Sequence, residues 1–497
     1  MLISFIKRGM IMATKKARIS GTTFLALLTL FSTVFAPSAF GIDLYLFSAV
    51  NASTETANPL FVEAGAGLSH DGDNFSIAWE LALDNAGTYK APYFGSYLGD
   101  FSIEAGKAEI GLGWAGFSAT VGKSPLKDIV DSPYSLFQND SGISTLGATV
   151  SYEDDRFFFH DRWVLLNRNL ANTIYTTSGR DDGAITEDPD IYDDRGAVLK
   201  TYGLKKGSFR FGFQDSAVFT GDFFDIGYFA NPLPSIFVQY IDKAPGRPWT
   251  VAGGDHNTIM GFFADYEDGN RYLYAQILVD DINMNRFLNP SGKQNPDKIA
   301  WSLGGRIKSS LGTFGLYQAG ATKYTFQSAQ KEYYSYTLYP GSVVLWKGTE
   351  TPIAIEDAML GYLHGENNIS LLGTWSREFG NIDAAASLEL SLSGSKSPAN
   401  PWNEYDVLEP AIYGTKLLDD LVLEKRIILG AEAGLPLGDF YVGIGGQVGY
   451  VGNRLKAVAV PISDEGTVGN AQPLFEPSAE SGFVGAVTIF GRYALNP

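Results

Sequence analysis

The chain has 497 residues, with 37 basic and 55 acidic side chains, a formal charge of −18 and no cysteine. That acidic balance excludes a nucleic-acid surface, whose phosphates need clustered cations. The missing cysteines exclude a disulfide scaffold, a thiol nucleophile and a thiolate metal site.

The first 41 residues read as a signal peptide. Lys15, Lys16 and Arg18 precede an apolar run from Phe24 to Phe35, and Ala39-Phe40-Gly41 offers small residues for cleavage. Cleavage after Gly41 removes five basic residues and no acidic one, so the expected mature chain, 42–497, has 32 basic against 55 acidic residues, or −23. Beyond it no apolar run approaches the ~18 residues of a membrane helix. Instead 56 glycines, 26 tyrosines and 33 phenylalanines point to strands with aromatic residues at a membrane boundary.

Short and long connections alternate along the chain. Tight turns are expected at 69–73, 153–155, 205–207, 267–270, 309–312, 380 and 436–439, and long polar connections at 124–142, 169–194, 219–255, 280–297 and 393–425. If the turns at 380 and 436–439 share a side, this reading requires an odd number of strands within 323–367, with 333–346 and 358–364 as candidates. Between the turns the side-chain period is two. Phe209, Phe211 and Phe213 alternate with Arg210, Gly212 and Gln214; Leu388, Leu390 and Leu392 alternate with Ser387, Glu389 and Ser391. Phe440, Val442, Ile444, Val448 and Tyr450 alternate with Tyr441, Gly443, Gly445, Gln447 and Gly449, and 483–495 forms a strand at the extreme C-terminus. A soluble β-sandwich also alternates, but soluble strands usually run about 5–6 residues and these run longer. The expected fold is all-β: a transmembrane antiparallel barrel of about 18 strands, 16 or 20 being compatible with the same turns, with long extracellular loops.

Catalytic motifs are missing. The four histidines His70, His160, His256 and His364 form no His-x-x-x-His pair, and no nucleophile elbow or phosphate loop occurs. His160 beside Asp161 is half of a triad at best, and Asp255-His256 half of a metal site. No enzyme activity and no cofactor are expected. The acidic run 176–195 carries Asp188, Asp190, Asp193 and Asp194, hard oxygen ligands suited to a divalent cation although the EF-hand spacing is absent. A solvated loop is the plainer account. Aromatic residues recur in the long connections: Tyr134, Phe137, Phe223, Phe224, Tyr228, Trp249, Trp402 and Tyr405. Such rings stack on sugars, and equally pack loops or line a membrane girdle. Trp402, Tyr405, Trp249, Asp280 and Asp281 are the candidate ligand-binding residues.

One stretch carries a family resemblance. Asn270-Arg-Tyr-Leu-Tyr-Ala-Gln-Ile-Leu-Val-Asp-Asp-Ile-Asn283, followed by the strand Lys298-Ile-Ala-Trp-Ser-Leu-Gly-Gly-Arg-Ile307, resembles the Wzi-type capsule-assembly family, and Ser397-Pro-Ala-Asn-Pro-Trp-Asn403 falls where that family has a Pro/Asn-rich loop. The similarity covers about a third of the chain. It implies an 18-stranded outer-membrane barrel that holds exported polysaccharide at the cell surface. The expected partners are outer-membrane lipid, a lipopolysaccharide-type surface, polysaccharide and the barrel-assembly machinery. A porin for small solutes is the alternative, and the two differ in the lumen: large inward aromatics and inward loops fit a lectin, an open charged lumen fits a pore.

Overall fold

Eighteen antiparallel strands close on themselves in the computed structural model, which describes residues 42–55, 58–72, 74–86, 101–139, 144–168, 193–242, 246, 248, 256–282, 285–288, 296–327, 334–340, 343–346, 349–396, 414–457 and 475–495. In chain order they are β1 (Asp43–Ser53), β2 (Leu60–Asp71), β3 (Phe75–Asp84), β4 (Ser102–Trp114), β5 (Phe117–Ser124) and β6 (Thr145–Glu153). Next come β7 (Phe157–Asn167), β8 (Arg195–Lys206), β9 (Phe209–Thr220), β10 (His256–Glu267), β11 (Arg271–Asp281) and β12 (Pro296–Ser309). The ring is completed by β13 (Gly312–Ala321), β14 (Asn368–Phe379), β15 (Ile382–Ser393), β16 (Glu424–Leu437), β17 (Phe440–Gly452) and β18 (Gly482–Ala494). Each pairs with its neighbours in sequence, and β1 pairs with β18 from Tyr45↔Ala494 to Ser53↔Ala486. Closure gives the backbone N–H and C=O groups of both edge strands partners, as a sheet in hydrocarbon must.

Eight connections of two or three residues lie at one end, at 72–74, 115–116, 154–156, 207–208, 268–270, 310–311, 380–381 and 438–439. The turn at 115–116 escapes sequence reading because Trp114-Ala115-Gly116-Phe117 lacks the usual Asn or Asp. Ala115 (φ 47°) and Gly116 (φ 84°) are both left-handed, as a two-residue hairpin turn of the primed type requires. All the longer connections emerge at the other end.

The period of two sorts each strand into an outer and an inner face. On β17, Phe440, Val442, Ile444, Val448 and Tyr450 are exposed on the outer wall, while Tyr441 lies inward over Gly434, where a Cβ would collide with its ring. Aromatic pairs ring the turn end of the outer wall: Phe440 with Tyr493 (centroids 4.4 Å apart), Phe117 with Tyr152 (4.7 Å) and Phe209 with Tyr266 (4.8 Å). Tyr450 and Phe483 (5.4 Å) mark the opposite boundary. Phe440 and Tyr450 are ten residues apart, ~24 Å of height at ~3.4 Å per residue and a tilt of ~45°. That matches the ~25 Å apolar band of an outer-membrane barrel.

The described residues of 323–367 hold no barrel strand, and the flanking strands β13 and β14 pair directly, which corrects the odd number expected there. An even number, here zero, already leaves the turns at 310–311 and 380–381 on one side. Met359 and Leu360 are adjacent and both buried, whereas a wall strand sends neighbours to opposite faces. Val343–Trp346 pairs only with Thr349–Pro352, outside the ring.

Candidate functional site: the filled lumen and its outer rim

Two connections turn inward and pack inside the lumen. In the first, between β5 and β6, Ser132-Pro133-Tyr134-Ser135 makes a tight turn: Tyr134 N donates to Ser132 Oγ (2.9 Å) and Ser135 Oγ to the Ser132 carbonyl (2.9 Å). The buried Asp128 carboxylate organises the loop by accepting from the backbone N–H of Ile129 (2.6 Å), Phe137 (3.1 Å) and Gln138 (3.3 Å). It ties the loop to the wall by accepting from Gln214 Nε2 (2.7 Å) on β9 and Gln276 Nε2 (3.1 Å) on β11. Burial pushes its carboxyl above the ordinary aspartate range, and these bonds oppose that rise.

The second inward connection, between β13 and β14, interlocks with the first. Tyr336 donates from its hydroxyl to the Phe137 carbonyl (2.7 Å), and Asn139 N donates to the Leu360 carbonyl (2.7 Å). Tyr134, Phe137, Phe326, Tyr336 and Tyr362 are essentially fully buried in one core. Each such ring contributes about 1.5–3 kcal/mol, so the filling is a packed core rather than a loose constriction.

This filling reaches nearly across the barrel. Arg195, at the start of β8, donates to the carbonyls of Ser335 (2.9 Å) and Thr337 (3.0 Å). Arg426, on β16, faces Glu356 of the same connection at 3.8 Å. β8 and β16 are eight strands apart in a ring of eighteen, close to a diameter. Tyr134 and His364 Nε2 (2.8 Å) meet Glu389 on β15, adding a third anchor.

Above the filling, at the end bearing the long connections, lies a pocket of about 190 Å³. Its lining joins Glu55 from the β1–β2 connection, Glu356 and His364 from the inward connection, Lys396 after β15, Glu424 and Arg426 on β16, and Arg454 and Phe475 from the β17–β18 connection. Arg454 faces Glu55 at 3.4 Å, and Glu424 accepts from Leu455 N (2.8 Å). Lys396 lies beneath. Its backbone N–H donates to the Phe475 carbonyl (2.9 Å) and its carbonyl accepts from the Phe475 N–H (2.9 Å), while its ammonium donates to the His364 carbonyl. Burial brings that ammonium down to about 8 against the pull of Glu424, Glu356 and Glu366. Interleaved guanidinium and carboxylate groups beside an aromatic ring can donate to and accept from a polyhydroxylated ligand. Two further cavities lie inside the barrel: one of about 880 Å³ at the turn end, lined by Lys308, Arg377, Asp383 and Glu432 among others, and one of about 670 Å³ that runs from Arg306 up the inner wall past Ser387 and Gln447.

Of the candidate ligand-binding residues read from sequence, the two that are described, Asp280 and Asp281, do not line the pocket. Trp249, Trp402, Tyr405, Asp188 and Asp190 lie outside the described residues. Asp193 and Asp194 precede β8, their carbonyls accepting from Asn167 Nδ2 (2.8 Å) and Gly221 N (3.0 Å). Asp280 is buried against the filling, where it accepts from Phe326 N (3.1 Å) and Asn257 Nδ2 (3.3 Å) with Lys298 Nζ at 3.5 Å; its neighbour Asp281 is half-buried. Tyr134 and Phe137 belong to the lumen core, whereas Phe224 and Tyr228 pack on the outer wall against Trp163 and Phe219. His160 and Asp161 occupy opposite faces of β7, so they form no pair with each other. Sequence reasoning missed Arg426, Arg454, Glu356 and Lys396. Each is an unremarkable charged residue in its own segment, and only closure of the barrel gathers them from separate connections.

No protein-family model matches the chain, and no curated protein matches it. Among solved structures the fold is similar to that of Wzi, an outer-membrane protein involved in group 1 capsule assembly in Escherichia coli and a carbohydrate-binding β-barrel. That alignment has a TM-score of 0.50 at 11% identity, over 91% of this chain and 85% of that one. OccD3 of Pseudomonas aeruginosa aligns with a TM-score of 0.42 at 11% identity over 92% of both chains. OccAB2 of Acinetobacter baumannii aligns with a TM-score of 0.43 at 9% identity, over 91% of this chain and 97% of that one. At 11% identity, what the chain shares with Wzi is the closed eighteen-stranded barrel of the outer-membrane type.

Proposed function

We propose that the chain is an outer-membrane barrel that binds and retains surface polysaccharide at its outer rim rather than passing solutes. The observation that carries this reading is the lumen: two interlocked connections with five buried rings extend from Arg195 on β8 to Arg426 on β16. A barrel filled in this way serves as a platform, and its rim pocket supplies the donors and acceptors a sugar needs. The carbohydrate-binding function of the similarly folded Wzi agrees with it. In this reading residues 1–41 direct export and are removed, the barrel-assembly machinery inserts the rest beside lipopolysaccharide, and no reaction is catalysed. Carboxylates of 176–194 bridging divalent ions to that surface belong to the same proposal.

The porin reading draws on the two charged cavities inside the barrel. Planar-bilayer conductance and polysaccharide retention separate the two. The lectin reading expects no steady open conductance, together with loss of surface polysaccharide in cells carrying Arg426→Ala with Arg454→Ala in a barrel that keeps its heat-resistant fold. Steady conductance with unchanged retention replaces it by the porin.

A further inference from the structure

Residues 214–220 of β9 meet two separate cores. Gln214 and Val218 face inward, Gln214 onto Asp128 and Val218 into the lumen core. Ala217 and Phe219, with Val198 of β8, face the other way and are just as buried, in a second cluster with Tyr228 and Val238. The cover comes from the β9–β10 connection, which folds back over the outside of the barrel. Its short helical turns Ile226–Phe229, Ser235–Phe237 and Val238–Asp242 lie against β7 to β10. Tyr228 stacks on Phe219 (5.4 Å, 5°), Trp163 Nε1 donates to the Phe223 carbonyl (2.8 Å), and Thr258 Oγ1 donates to Gln239 Oε1 (2.7 Å).

Beneath this strap the outer wall is charged. Asp161, Lys200 and Asp215 are direct cross-strand neighbours on β7, β8 and β9, all buried. The strap supplies partners to two of them: Lys200 Nζ donates to the carbonyls of Asn231 (2.6 Å) and Leu233 (3.0 Å), and Ser235 N donates to Asp215. Asp215 stands six residues above Phe209 of the turn-end girdle, ~14 Å of height by the geometry used for β17. That lies inside the ~25 Å apolar band, where uncovered charge is costly. The strap's far side is apolar: Ile226, Leu233, Phe237, Tyr240 and Ile241 are exposed, Tyr240 at 71%. It continues the lipid-facing wall formed by Phe211 and Phe262.

We propose that residues 221–242 form a membrane-embedded strap: its polar side covers the Asp161–Lys200–Asp215 row and hydrogen-bonds Lys200 and Asp215, and its apolar side takes the place of the wall in contact with acyl chains of the outer leaflet. The strap rests on the barrel being membrane-inserted and is independent of the polysaccharide reading. Because the chain has no cysteine, single Phe237→Cys, Tyr240→Cys and Ile241→Cys variants of the full-length protein can be spin-labelled in phosphatidylcholine vesicles. Ile444→Cys serves as the wall reference and Glu480→Cys as the rim reference, and heat-resistant mobility checks folding of each. These substitutions are at exposed positions and leave the packed side of the strap intact. The expected result is that strap labels follow the Ile444 label, with relaxation by oxygen exceeding relaxation by a water-soluble nickel complex. Strap labels that follow Glu480 place the strap in water and overturn the proposal. Labels shielded from both reagents mean a protein partner, such as a second copy, covers the face, and also overturn it. An Ile444 label in water removes the membrane-inserted barrel itself, and the strap with it.

Discussion

Replacing Ile444 by arginine puts a guanidinium on the outer wall four residues above Phe440 and six below Tyr450. Four residues correspond to ~10 Å of height at ~3.4 Å per residue and ~45° tilt, close to the middle of the ~24 Å between the two girdles. Ile444 is 52% exposed and pairs with Ile489, itself 53% exposed, so the cation finds no polar neighbour on that face. Arginine at the midplane of a barrel wall costs roughly 2–4 kcal/mol, a roughly 30- to 900-fold drop in the folding equilibrium constant. Gln447 is three residues away on the same strand but lines the 670 Å³ cavity. Gln447→Arg should change stability by no more than about 0.5 kcal/mol, as ordinary solvated substitutions do. Denaturant titration of both variants in phosphatidylcholine vesicles, followed by tryptophan fluorescence and heat-resistant mobility, measures the two costs. Equal costs at 444 and 447 would refute the assignment of the outer face to lipid.

Two further outcomes follow from the filling and its rim. Asp128→Ala strips the acceptor from the amides of Gln214 and Gln276 and the backbone N–H groups of Phe137 and Gln138, each unsatisfied buried group costing ~1–3 kcal/mol. Protease added to bilayer-inserted protein should then cleave within 125–139 while the barrel stays heat-resistant; protection equal to the parent chain counts against the anchor role. Lys396 loses its proton at about 8 in the folded chain, below the ordinary lysine value of 10.5. Between those values the unfolded chain binds more protons than the folded one, so this group's contribution to stability rises with pH across about 8 to 10.5, by at most ~3 kcal/mol. Its penalty is fully present below about 8. Hydrogen-exchange protection of the Lys396 and Phe475 amides, corrected for intrinsic rate, should increase over that window in the parent chain and stay flat in Lys396→Met.

The barrel is legible in the sequence because each wall segment reports its two environments locally. Phe209, Phe211 and Phe213 against Arg210, Gly212 and Gln214 need no distant information, and the last strand, 483–495, is equally self-declaring. The signal fails where both faces are covered. Residues 214–220 of β9 are all buried, with the filling on one side and the strap on the other, and the alternation read from sequence accordingly stops at Asp215. The aromatic residues of the connections were visible, but their destinations were not. Tyr134 goes into the lumen and Tyr228 onto the outer wall, and nothing within either segment distinguishes them. What decides is the partner: Glu389 and Gln276 wait inside for the first connection, and Lys200 and Asp215 outside for the β9–β10 one. The strand candidate at 358–364 fails for a related reason: its buried residues Ala358, Met359, Leu360 and Tyr362 fall in both phases because the segment is covered on all sides inside the barrel.

Loop length itself explains little of this arrangement. Lengthening a closed loop from the 20 residues between β5 and β6 to the 46 between β13 and β14 adds only about 0.7 kcal/mol of closure entropy. Fixing each of those residues costs ~1–2 kcal/mol, so ordering them is the larger demand. It is met where rings and hydrogen bonds are dense: Phe326, Tyr336 and Tyr362 bury fully, Arg195 holds two carbonyls, and Asn367 Nδ2 donates to Ser395 O (3.0 Å) and to Asp420 (2.8 Å). Asp420 also accepts from Lys323 Nζ (3.2 Å) and Ser395 Oγ (2.7 Å), which hold its carboxyl below the ordinary range against the opposing effect of burial. The base of the filling is thereby pinned to the β15–β16 connection at the same rim that forms the charged pocket. A ligand bound between Glu356 and Arg426 would touch both the filling and the wall, so occupancy of the pocket and docking of the filling stabilise each other.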